Sequence, residues 1–439
     1  MRQAAGLNSF MEIPIAYLAS DSSNILTIPD DKHIVIQGKT GTGKSTVLKN
    51  VIVEEIRAGK GVAVLDPHGQ LIDDIVSLIP EGRKSDVVWF DPCDDTAICG
   101  LNFYDGPGDQ HKKVSAILAM FSTVWKGYWG PQSNEIVAYA SDAVLKQDAD
   151  ERSILALAKF LMNPALARQK GQKGKTAGYR EKCLRAAPDY VREYWKKFSE
   201  RSGRDQAEAV SHPMNKINEF VRNPLVRGVV GQTRNTLNMT RVMDEGKILL
   251  CRLSKGKLGA DVSSILGSLI VSKISLATLE RENVPEYKRR PFILFADEVQ
   301  NFCHGVDFPT ILAEARKYHL TLVMATQTVS QLPDPEAVFG NCNVIIVYRI
   351  GGKDAEFMAS EWGNQFSPTA FMSLNDFEFY ISVVKDHIVQ RKDLIWHAKP
   401  SLSRRGDEAA PAIVKMTSRR LYGNDRGEVM RRVDRFLGM

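Results

Sequence analysis

Long uninterrupted hydrophobic runs are missing from this chain of 439 residues. Its most apolar stretches, "VSAILAMF" and "SSILGSLIVSKISLATL", are broken by Ser, Lys or Thr short of the ~18 residues that a membrane-spanning helix requires, so no intrinsic span is expected. The N-terminus lacks the basic and apolar regions of a signal peptide. Cysteine is sparse: Cys93, Cys99, Cys183, Cys251, Cys303 and Cys342 form no C-x-x-C pair and have no His at zinc spacing. They read as reduced thiols of a cytoplasmic protein. No internal repeat is present either. Neither sign of charge dominates, with 58 Lys or Arg against 52 Asp or Glu. The apolar and charged fractions, 44% and 25%, are those of a folded globular chain and not of a disordered one. The small excess of +6 is concentrated at the end of the sequence, where Arg391 to Met439 hold 12 Lys or Arg and 6 Asp or Glu. Such a basic tail is either a solvated face or a nucleic-acid contact.

What is present falls into segments of different texture. Short apolar runs alternate with helical patterns in the first part: "HIVIQ", a Gly-rich loop, a helix, "GVAVLDPHG", a further helix and "DVVWFDP". This alternation predicts a parallel sheet with helices on its faces. From about Gln110 to Glu245 the patterns become helical throughout, as in "NEIVAYASDAVLKQ" and "PDYVREYWKKFSER". Within this part, the Gly- and Lys-rich "ARQKGQKGKTAGYREK" reads as a loop. Continuous apolar runs then resume in "KILLCRL", "PFILFADE", "LTLVMATQ" and "VIIVYRI", as expected of strands buried on both faces. The predicted organisation is an N-terminal lead over 1–24 and an α/β domain split into 25–109 and 246–396. An all-α insertion occupies 110–245, and a basic tail 397–439.

The segment "GKTGTGKST" lies between a predicted strand and a predicted helix and fits G-x-x-x-x-G-K-[ST]. Gly38, Gly41 and Gly43 let the backbone curl so that its N–H groups face phosphate oxygens, with Lys39, Thr40, Thr42 and Thr46 completing the cradle. Lys44 offers a point charge to the β and γ phosphates, and the Ser45 hydroxyl is placed for Mg²⁺. The pattern therefore predicts a nucleotide, ATP with Mg²⁺. In "PFILFADEVQNF" a buried strand ends in Asp297 and Glu298. The first carboxylate is suited to the metal shell and the second to polarising water, which a hydrolase needs and a nucleotide store does not.

Other residues are open to two readings. Gln327, ending "LTLVMATQ", is a γ-phosphate sensor that orients the lytic water, or a polar strand cap. Arg316, in "LAEARKYH", is a cation supplied in trans to the transition state, or a surface ion pair with Glu314. Arg349, in "IIVYRIGG", competes for the same role. In "DPHG", Asp66 and His68 reach the nucleotide pocket, or Pro67 and Gly69 make a structural turn. Trp125, Trp129 and Trp195 lie on amphipathic patterns and read as core residues, not as base-stacking ones.

Taken in order, "GKTGTGKST", "AVLDPHGQL", "LFADEVQNF", "LAEARKYHLTLVMATQ" and "VYRIGGKDAEFMA" resemble the FtsK and HerA superfamily of DNA-pumping ATPases. Within it they look most like the soluble part of the type IV coupling proteins of conjugation. The likeness covers roughly Ile25 to Trp396. It implies a RecA-like P-loop NTPase motor interrupted by an all-α domain, assembled as a hexamer that hydrolyses ATP between subunits and pulls DNA through a central channel. It also favours Arg316 as the trans-acting arginine. Relaxase and secretion-channel proteins are the implied partners, and the implied place is the cytoplasm, with attachment to the inner membrane through those partners. About 25 residues precede the motor, so neither the membrane anchor of coupling proteins nor the β-barrel of the HerA branch is expected there. The rival function is a nucleotide-switched adaptor that recruits a relaxase or effector protein to a transfer or defence complex.

Overall fold

The computed structural model describes residues 12–105, 109–125, 129–162, 177–303, 308–332, 334–385, 388–402 and 409–438. The chain divides into two compact units. One contains residues up to Trp89, Met239–Cys303 and 308–418, and the other contains Phe90–Asn238 and the residues from Arg419 onward.

The first unit is built on eleven strands: β1 (Glu12–Leu18), β2 (Asp21–Pro29), β3 (Ile34–Gln37), β4 (Gly61–Asp66), β5 (Val87–Phe90), then β7 (Ile248–Arg252), β8 (Phe292–Ala296), β9 (Leu320–Thr326), β10 (Val344–Val347), β11 (Glu378–Lys385) and β12 (Ile388–Ala398). They form one sheet in the order β2-β1-β12-β11-β10-β3-β9-β8-β4-β7-β5. From β10 to β7 the neighbours are parallel, and from β10 outward through β11, β12, β1 and β2 they are antiparallel. Every residue of β3, β4, β8, β9 and β10 is buried, in keeping with their mostly apolar sequences. β1 instead alternates exposed and buried residues over its first half, the pattern of a strand with one wet face. The strand β1 and the start of β2 fall within residues 1–24, the N-terminal lead expected from sequence.

The helix Ala260–Glu280, with the turn that follows it, is long and apolar enough to cross a membrane, contrary to the sequence-based expectation; 61% of its most apolar window is buried inside the protein. Three of its five serines are tied to neighbouring carbonyls. Ser263 donates to Leu253 O at 2.7 Å, Ser264 to Asn301 O at 2.6 Å and Ser268 to Phe302 O at 3.2 Å. This is the behaviour of a core helix laid on a sheet.

Helices dominate the second unit: Gln110–Val124, Pro131–Leu145, Ile154–Leu161, Ala177–Ala186, Asp189–Ser199, Gly203–Arg222, Pro224–Val230 and Arg426–Leu437. Their starts follow local chemistry. Ser153 caps Ala156 N, Ser202 caps Asp205 N, and Asn223 caps Leu225 N and Val226 N ahead of Pro224 at the first helical position. The strands among its described residues are the short pair β6 (Ala97–Ile98) and β13 (Asn424–Asp425). Phe103, Phe121, Trp125 and Phe220 pack with ring centroids 5.2–6.4 Å apart, and Trp125 and Trp195 are buried, as a core role requires. Of the segment read as a loop, residues 167–176 lie outside the described residues, and the remainder opens the helix Ala177–Ala186. Residues 90–105 group with this unit and 397–402 with the sheet, so the compact units do not follow the boundaries drawn from texture alone.

One histidine ties three elements of the sheet unit together. His33, fully buried, donates from Nε2 to Leu312 O at 3.0 Å and accepts from Leu322 N at Nδ1, also at 3.0 Å. Burial pushes its pKa down to about 4, against the pull of the Leu312 carbonyl, and the Arg316 charge pushes the same way. An unfolded chain takes up this proton near pH 6.5 while the folded chain refuses it, so the stability it lends above pH 6.5 is lost as pH falls toward 4. The full shift corresponds to about 3 kcal/mol. Denaturant melts from pH 7 to pH 4.5 should show a steeper loss for the wild type than for His33→Asn; parallel curves would contradict this.

Candidate active site

The candidate residues meet where the parallel strands end. Gln37 of β3 pairs with Thr326 of β9 and with Val347 of β10, Ala296 of β8 pairs with Met324 of β9, and Leu65 of β4 pairs with Ala296. The phosphate-loop pattern, Gln327, Asp297 and Asp66 therefore leave neighbouring strands at the same edge of the sheet. This is the edge where open α/β sheets bind ligands.

The loop is held by backbone bonds to both flanking strands: Gly38 N to Thr326 O at 3.2 Å and Lys39 N to Arg349 O at 2.9 Å. Glycine is required at two places. A Cβ on Gly38 would stand 2.6 Å from Tyr348 Cβ. Gly43 caps the helix Lys44–Arg57 with φ 115°, and a Cβ there would come 2.9 Å from Phe377 Cδ1. Lys44 is 6% exposed and turned back on the loop, donating to Gly38 O at 2.6 Å and Lys39 O at 3.1 Å. Burial lowers its pKa, while the charges of Glu298 and Asp297 raise it. Thr42 is buried, with its hydroxyl bonded to Lys39 O at 2.8 Å. Lys39, Thr40 and Ser45 are exposed. Thr46 N donates to Gly43 O at 3.1 Å, and the N–H groups of Lys44 and Ser45 before it precede the first bonds that a helix makes within itself.

Asp297 is buried, and burial followed by the Asp66 and Glu298 charges pushes its pKa up to about 7, against the pull of Lys44. The charges of Asp297 and Glu298 act on one buried ammonium, and Asp66 adds a third negative charge beside Asp297, so the site is short of positive charge. Glu298 sits in the left-handed region at φ 50°. Its carboxylate accepts from the Gln300 amide, and Gln300 Oε1 in turn accepts from the Thr326 hydroxyl at 3.1 Å. Gln300 was not among the residues expected from sequence; the signal available was an amide two positions past the acidic pair. Gln327 is exposed at the end of β9.

The remaining candidates take other places. Asp66, fully buried, accepts from His68 N at 2.8 Å and Ile72 N at 3.1 Å, whereas the His68 side chain is exposed. "DPHG" is thus a turn pinned by its aspartate. Arg349 is bound to Asp376 at 2.6 Å and to Leu374 O at 3.1 Å. Arg316 is not with the others. It is exposed and precedes β9, at the opposite edge of the sheet, where it reaches Asn343 Oδ1 at 3.3 Å; the ion pair with Glu314 is made by Lys317 instead. In the second unit, several arginines of the basic tail are engaged by their own unit. Arg419 pairs with Asp94 at 2.8 Å, Arg426 donates to Asp94 O at 2.8 Å, and Arg432 pairs with Glu428 at 2.5 Å.

Comparison with known proteins bears on this arrangement. Residues 25–170 match the type IV secretion-system coupling protein DNA-binding domain, and residues 291–366 match the TraM recognition site of TraD and TraG. Among solved structures, the plasmid coupling protein TrwB in complex with ADP and Mg²⁺ is 14% identical, covering 92% of this chain and 98% of its own, with a TM-score of 0.61. The unbound conjugative coupling protein TrwBdeltaN70 is 16% identical over 90% of each chain, with a TM-score of 0.59. VirB4 of Thermoanaerobacter pseudethanolicus is 14% identical, covering 91% of this chain and 100% of its own, with a TM-score of 0.56. At these identities the likeness is one of fold, and it bears out the expected α/β P-loop NTPase with a mostly parallel sheet. The uncharacterized protein aq_aa31 of Aquifex aeolicus (strain VF5) is 36% identical over 78 residues, which span 16% of this chain and 29% of that protein.

Asp66→Ala should lower stability by about 2 kcal/mol, because it strands two N–H groups of a buried turn, while His68→Ala should change stability little. Thermal melts of the two variants check this. Equal losses would restore a shared role for the pair.

Proposed function

We propose that the chain is an ATP-dependent DNA translocase of the coupling-protein type, working as a ring of identical subunits, a hexamer in the simplest form. The observation that carries this reading is a full hydrolysis set at one edge of the sheet and an exposed arginine at the other. β9 has seven residues, and at ~3.3 Å per residue it puts about 20 Å between Arg316 and the acidic pair. Arg316 therefore serves the site of a neighbouring copy or no site at all.

In this mechanism the N–H groups of Gly41 to Thr46 grip the phosphates at the helix N-terminus. Lys44 exchanges the carbonyls of Gly38 and Lys39 for phosphate oxygens. Asp297 and Ser45 would hold Mg²⁺; the fit is supported by the raised pKa of the buried Asp297, which a cation would bring down again. Bound there, the ion neutralises charge on the phosphate oxygens. Glu298 takes the proton of the attacking water, with Gln300 fixing its carboxylate, and Gln327 orients that water against the γ-phosphate. Arg316 of the next subunit meets the charge that develops in the transition state, so turnover depends on assembly. The cytoplasm, with attachment to the inner membrane through partner proteins, is the setting this reading implies, and DNA is the substrate being moved.

The match of residues 291–366 to a partner-recognition segment favours a second reading, a nucleotide-switched adaptor that recruits a relaxase or effector protein. DNA separates the two: a translocase's ATPase rises with DNA across a protein concentration series, and an adaptor's responds to a protein partner.

Glu298→Gln should retain nucleotide binding and lose turnover by about 10²-fold or more, the share general-base catalysis supplies; turnover within a few-fold of wild type would sink this assignment. Arg316→Ala should spare nucleotide affinity and lower kcat. Mixing it with Glu298→Gln subunits should restore activity at interfaces where an intact pocket meets an intact arginine. Mixtures shown to co-assemble yet inactive at every ratio would mean either that Arg316 is a surface residue and Arg349 the better candidate, or that turnover requires every interface intact; Arg349→Ala in the same mixture separates these outcomes.

A further inference from the structure

The carboxylates of Asp297 and Glu298 lie on the β9 and β8 side of the phosphate loop. Phe377 lies on the other side, where the sheet turns antiparallel at β10 and β11. A triphosphate on the loop keeps its reacting end toward the carboxylates, so the nucleoside at its other end leaves toward Phe377.

Phe377 is built for something other than filling a core. Its backbone is left-handed, with φ 67°, a genuine outlier for a bulky residue. Such strain persists where the surroundings over-determine it. Here its N–H donates to Thr42 O of the loop at 2.8 Å, and its carbonyl accepts from Ala398 N at 2.9 Å. Arg349 clamps the turn before it through Asp376 and Leu374 O. The ring is thereby set against Gly43 at the helix N-terminus and is still 39% exposed. Behind it runs a stack: His397 lies 6.1 Å from Phe377 at 29°, and Tyr17 lies 5.2 Å from His397 at 15°.

We propose that Phe377 is the nucleobase platform of this site, with the base of the bound nucleotide stacked on its exposed ring and His397 and Tyr17 holding that ring in place. This rests on the nucleotide reading given above. Every base has a π-face, so the platform separates a nucleotide from inorganic triphosphate and does little to separate adenine from guanine. It also gives Arg349 a role as the clamp of the platform, distinct from that of a trans-acting arginine.

The test is equilibrium binding of MgATP and of magnesium tripolyphosphate to the full chain as wild type, Phe377→Leu and Phe377→Tyr. Leucine keeps an apolar contact at Gly43 and removes the π-face. ATP affinity should fall about 10-fold or more in Phe377→Leu, the scale of a lost base–aromatic stack, and hold in Phe377→Tyr, while tripolyphosphate affinity stays constant in all three. Equal loss of both ligands would mean that the residue only shapes the loop, and no loss would mean that the base lies elsewhere; either overturns the platform. Wild-type chain binding neither ligand would overturn the nucleotide reading and the platform with it. A second measurement needs no variant: the fluorescence of 2-aminopurine riboside triphosphate should be quenched when it binds the wild type, and an unquenched complex would refute the stack.

Discussion

Lys44, Asp66 and Asp297 are charged side chains with almost no access to water, brought together at the ends of parallel strands. Isolated, each would be costly to bury. Asp66 is offset by two backbone N–H groups and Lys44 by two loop carbonyls, which leaves Asp297 with the unmet demand for a cation. The surrounding sheet can be read as the support for this imbalance. Fully buried strands on both sides of β3 and β8 exclude water, and their common ending aligns the charged groups.

The parallel centre of the sheet was legible in the sequence because strands buried on both faces are mostly apolar, as β8 and β10 are throughout and β3, β4 and β9 are apart from Gln37, Asp66, Thr321 and Thr326. The antiparallel flank was not. β2 is exposed over its first five residues, and polar residues interrupt "IVQRKDLIWHA" of β12, so neither has the composition of a buried strand. Each is paired with the strand just before it in sequence, β2 with β1 and β12 with β11, but the flank joins up only through β12 and β1, which lie at opposite ends of the unit's sequence and share no local window. The phosphate loop and the acidic pair were legible from spacing alone, because their chemistry is local to a strand–loop–helix unit.

Arg316 shows where spacing stops. Its offset from Glu298 suits a catalytic partner, yet a residue that precedes a parallel strand stands at the edge opposite the residues that follow such strands. Strand direction, not distance along the chain, decides which active site it can serve. Phe377 escaped notice for a different reason. In "LNDFEFY" it reads as one aromatic of a strand, and nothing in the sequence reports that its φ is positive. The bonds to Thr42 and Ala398 and the Arg349 clamp hold it in that conformation. The basic tail is a third case: net charge counts arginines without showing that Arg419 and Arg426 are held by Asp94.

The reversal of strand direction at β10 and β11 bears on how the molecule comes into being. The phosphate loop is made early on the ribosome, but the two rings packed against its glycines, Tyr348 and Phe377, emerge only after the helical unit and most of the sheet. Until then the loop can be neither braced on that side nor enclosed, and contacts of such sequence separation are slow to form. The phosphate-loop sequence is therefore made long before the two rings that close on its glycines.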